Sequence, residues 1–419
     1  MRSVEEHRRV VAGLIAPRAA AAVALADAQA LVLAGDVTAE LSLPVFDNSA
    51  MDGYAVRADE VAAATPDDPV KLPVTEDIPA GRTDQLTLEP GTAHRIMTGA
   101  PTPAGATAVV PVEATDARTD TVSIRASAKA GQHIRRAGED VAAGTTVLRQ
   151  GQILTPAALG LAAALGLPDL PVIPRQRVLV VSTGSELVPP GTPLRPGQIY
   201  ESNAVMLAAA VRDAGAEVIA APMAGDDVSQ FTAVLDRYAG ADLIITTGGV
   251  SAGAYEVVKD ALGGAPHHAV EFVKVAMQPG KPQGAGRVPG PRSVGTGSDD
   301  AGAGSVGAGT PIVTLPGNPV SALVSFEVFI RSALRAAMGL PQPDRPRRTA
   351  TLTDEITSPR GKRQFRRGVL DADRGVVSSY GPPASHHLRW LASANCLLEI
   401  PEDVVEVAAG SQVQVWDMT

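Results

Sequence analysis

The chain has 419 residues, too many for one ordinary core, and 36 basic against 45 acidic residues give a formal net charge of -9. No long basic run interrupts that balance, which argues against nucleic acid or an anionic membrane as a partner. A single cysteine, Cys396, excludes an intrachain disulfide and any cysteine cluster for zinc or iron–sulfur, and reads as a small buried hydrophobe.

Aromatic residues make up only 3% of the chain, so its cores must be aliphatic. The opening MRSVEEHRRV mixes acids and bases, and no run of about twenty uncharged apolar residues follows, so the sequence reads as a soluble cytoplasmic protein. Over residues 4 to 34, Val10, Val11, Leu14 and Ile15, then Leu25, Leu31 and Leu33, predict two helices divided at Pro17. The segment from Leu41 to Val56 is dense in Asp, Asn, Ser and Gly but carries Phe46, Met51 and Tyr54, and reads as a loop with a task. From about Met51 to Val141, short alternating runs with turn signals predict a β-rich module. Leu154 to Leu165 returns to a helix, with Thr155 as cap and Pro156 in its first turn.

Residues 175 to 338 alternate strands (Val178 to Val181, Glu217 to Ala221, Leu243 to Thr246) with helices (Asn203 to Ala214, Asp227 to Tyr238). This is the pattern of a doubly wound, mostly parallel sheet. A tract from roughly Gly284 to Thr310, rich in Gly, Ser, Ala and Pro, is expected to be flexible and without catalytic residues. After a Pro-rich linker the last stretch alternates as strands. The expected architecture is thus α/β and multidomain. It comprises a discontinuous helical and linker domain (1–50 and 142–174), an inserted β-rich domain (51–141), an α/β domain (175–340) and a C-terminal β domain (345–419).

In an open α/β sheet the loops after the strands converge on one crevice. Here they are Ser182 to Leu187, Gly225 to Asp227, Thr246 to Glu256 and Leu315 to Ser321. Gly248, Gly249 and Gly253 would let backbone N–H groups approach an anion, and the helix expected from Tyr255 to Leu262 would point its N-terminus at the same spot. Lys281 sits in a rigid Pro-Gly-Lys-Pro turn, and the octad from Gly361 to Gly368 reads either as a solvated basic face or as a guanidinium clamp for an anion.

The motifs LPVFDNSAMDGYA, RIMTGAPTPAGA, GEDV, VVSTGSEL, IYESNAVM, DLIITTGGVSAG, KVAMQPGKPQG, LPGNPVSALVSFE and ASHHLRWLASANCLLEIP, in this order, resemble the molybdopterin molybdenumtransferase family, bacterial MoeA and the E domain of gephyrin. The resemblance implies a central domain of the molybdopterin-binding type and an elongated homodimer with a cleft shared between subunits. The implied reaction is insertion of molybdenum from molybdate into adenylylated molybdopterin, with release of AMP and help from Mg²⁺. It implies catalytic roles for Asp52, Glu186, Lys281 and Asp140, and metal ligation by Asp226, Glu186 and Glu256. The implied binding residues are Thr98, Thr183, Gly184, Gly248, Gly249, Ser251, Gly253, Pro316, Gly317, Asn318, Arg363, Arg367 and Ser385. A molybdopterin adenylyltransferase is an implied partner enzyme. Alternative readings are that adenylylating reaction itself, or a non-catalytic molybdopterin-binding scaffold. The chain departs from the family pattern at Ser185, where Asp is common, at Ala254, one of an acidic pair flanking Tyr255, and at Gln278, where a lysine is frequent.

Overall fold

The structure is a computed structural model that describes residues 1–238, 240–249, 257–262, 269–289 and 309–419. Its contacts divide the chain into two compact units, one formed by Met1–Ala21 with Ile173–Thr419 and the other by Ala22–Val172.

The first unit is built on a seven-stranded sheet. Arg177–Thr183, Leu243–Thr247 and Thr310–Leu315 lie side by side and parallel, with Glu217–Ala220 parallel at one edge. Every residue of Leu243–Thr247 is buried, as a strand covered on both faces requires. Side chains alternate between the two faces. Val178, Val180, Leu243 and Ile245 pack with the helices Val4–Leu14 and Asn203–Asp213. Leu179, Val181 and Ile244 pack against Phe231 of the helix Val228–Arg237 and Val258 of the helix Val257–Leu262. The sheet is doubly wound at its centre. Its other edge is antiparallel, through Pro282–Val288 and Ala269–Lys274.

That edge revises the reading of the Gly-rich tract. Residues 284 to 288 belong to a strand that pairs on both sides, because Gly284 and Gly286 let neighbours approach where a Cβ would fall 2.3 Å from Thr314 Oγ1 and 2.0 Å from the Ala269 carbonyl oxygen, respectively. The remainder of the tract, residues 290–308, lies outside the described residues.

A second sheet in this unit closes on itself, since Arg363–Asp371 pairs with both Val376–Ser379 and Cys396–Ile400. The short strand Met277–Gln278 adds to it in parallel against Arg363 and Gln364, which fixes the start of the Lys281 turn. Cys396 is fully buried, and burial first, then Asp417, pushes its thiol up to about 12.

The second unit carries a five-stranded sheet in the order Ala108–Pro111, Gly53–Val56, Ala93–Ile96, Val70–Ile78, Thr121–Ile124. The segments on either side of it share a core of Leu31, Leu33, Val37, Leu148, Leu154, Ala158 and Leu170. One expected helix is absent from that core. After Val4–Leu14 the chain forms the strand Ala21–Ala24, a 3₁₀ turn at Leu25–Asp27 and the strand Val32–Leu33. Both strands flank Asp169–Ile173, so pairing with a distant segment overrides the helical tendency of an Ala-rich run.

In the first unit, the chain from Pro319 to Ala337 is continuously helical and includes a π-helical stretch, Phe326–Ile330. Glu327 in that stretch is 3% exposed and pairs with Arg345 at 2.9 Å and Arg331 at 3.6 Å, while Asp213 completes the group. Removing the central carboxylate leaves two poorly solvated guanidinium groups to share the exposed Asp213 alone. Glu327→Ala is therefore expected to lower stability by about 3 kcal/mol, read as a shift of the urea midpoint at constant slope; an unchanged midpoint would show the network to be solvated.

Candidate functional site

At the carboxyl ends of the parallel strands of the first unit lies a cavity of about 1190 Å³. Its wall draws on loops that the sequence nominated, 182–187, 226, 247–249 and 316–321, and adds the 278–282 turn and the segment 383–388. Thr183, Gly184, Glu186, Asp226, Gly248, Gly249, Lys281, Pro316, Gly317, Asn318 and Ser385 all contribute. Ser251, Gly253 and Glu256, with Ala254 and Tyr255, lie outside the described residues.

The loops are held together by backbone contacts that only glycine permits. Gly248 has a φ of 92°, and a Cβ there would lie 2.6 Å from the Thr183 carbonyl oxygen and 2.8 Å from its Oγ1. The Thr183 hydroxyl donates to the Thr247 carbonyl at 3.2 Å, and the Gly248 N–H donates to the Leu315 carbonyl at 3.1 Å. The Gly248 and Gly184 N–H groups are thus engaged within the fold, Gly184 donating to Ala224. Among the described residues the N–H groups of Gly249, Gly317 and Asn318 have no acceptor, so they are among the backbone donors left for an anion.

The carboxylates divide by their contacts. Asp226 accepts from the Ser185 N–H at 3.0 Å, while its own N–H donates to Ser185 Oγ at 3.1 Å. Ser185, the family departure, therefore locks the 182–187 loop to the 225–227 loop. Asp227, not Asp226, caps the helix Val228–Arg237, accepting from the Gln230 N–H. Glu186 has no hydrogen-bonding side-chain partner among the described residues, which leaves both its oxygens free. Lys281 is exposed and has no carboxylate within ion-pair distance among the described residues.

Two expected anion clamps are not on the cavity wall. Arg363 pairs with Glu5, Glu399 and Glu402; burial works against its charge, but those carboxylates outweigh burial and raise its pKa. Arg367 is 3% exposed and donates to the carbonyls of Pro382, Ala384 and His387. Burial, then the charge of Arg366, pulls its pKa below the ordinary value. Its work is to hold the loop that carries Ser385, whose carbonyl accepts from the Val320 N–H and whose hydroxyl accepts from Asn318 Nδ2.

Asp52, Thr98 and Asp140 belong to the other unit. Asp52 accepts from the Thr98 N–H at 2.7 Å. That backbone bond, then the Thr98 side chain and the Arg95 charge, hold its carboxyl below the usual range. Asp140 is exposed, and its N–H donates to the Leu43 carbonyl.

Sequence reasoning passed over Glu201 and Asn203 and did not single out Thr247 within its loop, and all three line the cavity. Glu201 is 4% exposed and accepts from Ser182 Oγ at 2.8 Å and the Ala204 N–H at 2.6 Å. The signal available was an acid three residues ahead of a helical N–H, in the motif IYESNAVM.

Residues 2–166 match the MoeA N-terminal region (domain I and II), residues 179–336 a probable molybdopterin binding domain, and residues 349–418 the MoeA C-terminal region (domain IV). Over 424 aligned residues the chain is 71% identical to the molybdopterin molybdenumtransferase 2 of Mycobacterium tuberculosis, covering 100% of both chains. It is 33% identical to the molybdopterin molybdenumtransferase of Bacillus subtilis, across 94% of this chain and 88% of the relative. The crystal structure of the molybdopterin biosynthesis MoeA protein from Pyrococcus horikoshii superposes with a TM-score of 0.74 at 28% identity, covering 100% of this chain and 99% of that one. With this domain content and this identity along its whole length, the chain belongs to the molybdopterin molybdenumtransferase family.

Proposed function

We propose that this protein is a transferase of molybdenum cofactor biosynthesis that inserts molybdenum from molybdate into adenylylated molybdopterin and releases AMP. The observation that carries the reading is a cavity where, among the described residues, backbone N–H groups without acceptors and a lysine without an ion-pair partner meet the carboxylates of Glu186 and Asp226. The N–H groups of Gly249, Gly317 and Asn318 suit the oxyanions of a phosphoanhydride, and Lys281 offsets the charge of that group or of molybdate. These donors are fixed by the fold before substrate arrives, so little reorganisation accompanies binding.

The reading includes Mg²⁺. Glu186, whose oxygens have no donor among the described residues, and Asp226, which uses one oxygen on the Ser185 N–H, fit the hard-oxygen donor set that this ion takes together with water. When bound there it supplies charge neutralisation at the phosphoanhydride. The same reading takes the protein as a cytoplasmic homodimer supplied by a molybdopterin adenylyltransferase, and counts Asp52, Thr98 and Asp140 among the residues that serve the reaction.

The decisive assay is AMP release from adenylylated molybdopterin by purified protein with Mg²⁺, with and without micromolar molybdate. Release should depend on molybdate and fall roughly a hundredfold in Glu186→Ala. Binding of the adenylylated pterin without release under any oxyanion would instead mark a binding paralogue, and consumption of Mg-ATP with molybdopterin would mark the adenylylating reaction. Asp52→Ala removes an exposed carboxylate, so it should leave the thermal midpoint within about 2 °C of wild type while lowering AMP release at least about tenfold. Full activity in that variant would remove Asp52 from the reaction.

A further inference from the structure

We propose that Asn203 is a positioning residue for the substrate's phosphoanhydride, acting through the turn at 316–318; the inference rests on the reaction just described. Asn203 is the first residue of the helix Asn203–Asp213 and lines the cavity. Its Nδ2 donates to Thr247 Oγ1 at 2.8 Å and to the Gly317 carbonyl at 2.6 Å, so both amide hydrogens are engaged. Thr247 Oγ1 in turn donates to the Pro316 carbonyl at 3.4 Å. One amide therefore ties the end of the strand Leu243–Thr247 to two successive carbonyls of the turn that follows Thr310–Leu315.

The consequence follows from peptide geometry. In a trans peptide the carbonyl and the next N–H point to opposite sides of the chain. Holding the Pro316 and Gly317 carbonyls toward Thr247 and Asn203 turns the N–H groups of Gly317 and Asn318 the other way. Those are two of the donors that lack an acceptor among the described residues. A proline on each side of this pair, Pro316 and Pro319, supplies no N–H of its own, which leaves the turn's donors in the orientation that Asn203 sets. An aspartate in place of Asn203 would keep the shape and lose both donations, and would face the Gly317 carbonyl with a charge.

The test uses the full-length protein carrying Asn203→Ala, Asn203→Asp and, from the other side of the link, Thr247→Val, which keeps shape and removes the hydroxyl. Adenylylated molybdopterin is the probe, measured both by equilibrium binding and by molybdate-dependent AMP release. Misoriented backbone donors weaken the hold on a charged group, so binding and KM should worsen about tenfold in Asn203→Ala, more in Asn203→Asp and less in Thr247→Val. In each, kcat should stay within about twofold and the thermal midpoint close to wild type. Binding and KM within about twofold of wild type in the variants that fold would overturn the proposal. So would a loss confined to kcat and the thermal midpoint, the mark of a merely structural residue. Wild-type turnover reports separately on the parent reaction, because the binding arm judges Asn203 even if no AMP is released. Should both Asn203 variants fail to fold, Thr247→Val decides alone by the same binding criterion.

Discussion

The crevice depends on the closeness of two backbones at the ends of adjacent parallel strands. Arg177–Thr183 and Leu243–Thr247 keep one register from Val178 opposite Leu243 to Ser182 opposite Thr247, and the next residue on the second strand must be one without a side chain. With Gly248 against Thr183, the third strand end can close in as well, where a Cβ on Gly317 would lie 3.4 Å from the Gly248 Cα. Three strand ends are thereby brought within van der Waals reach, and backbone N–H groups line a space that side chains would otherwise fill. The carboxyl-end rule for open sheets says where such a site lies; the glycine contacts explain why this one has donors to offer.

Charge in the crevice follows a division of labour. Glu186, Glu201 and Asp226 put three carboxylates on the wall of a cavity suited to anions, which would be self-defeating without partners. Glu201 is quenched by the Ser182 hydroxyl and the Ala204 N–H, and Asp226 by Ser185, so Glu186 remains the one among the three with no donor from the described residues. The guanidinium groups of Arg363 and Arg367 do not themselves line the wall. One binds the closed C-terminal sheet to Glu5 of the first helix, the other gathers the carbonyls of the loop bearing Ser385. A buried arginine surrounded by carbonyls orders a loop at the cost of its own hydration, and in exchange Ser385 reaches Asn318 in a fixed position.

Legibility in the sequence varied with how local the deciding interaction is. Leu243–Thr247 was readable because an aliphatic β-branched run ending in paired glycines has few other solutions. The cap at Thr155 was readable for the same reason, as its hydroxyl accepts from the Ala158 N–H only three residues on. The Ala-rich run after Pro17 was not, since its strands form only against Asp169–Ile173, far along the chain. The contacts of the arginine octad were not readable for a subtler reason. Its strand period puts Arg363 and Arg367 on the side of Phe365, which packs edge-on against Trp416 at 5.5 Å, and within this chain their charges meet carboxylates and loop carbonyls. Asn203 escaped notice because its environment reads as an ordinary helix start, and nothing in the local pattern reveals that the amide reaches residues 44 and 114 positions away.

That segment, Glu201 to Ala204, also bears on how a chain with so few aromatic residues holds a site in shape. Large rings usually set the spacing of elements around a cavity, and here they make up 3% of the residues. The burden passes to directional contacts. Glu201 reaches Ser182 at the end of the first central strand, while Asn203 reaches Thr247 on the second and Gly317 beyond the third. Side chains two positions apart on one helix start therefore touch all three strand ends, and a displacement of any one of them must strain bonds to the other two. Hydrogen bonds of this kind are modest individually, but buried and mutually dependent ones specify a single arrangement more sharply than aliphatic packing does. In this fold the accuracy of the crevice is set where a helix begins, and the glycine-rich turns are the parts that it aligns.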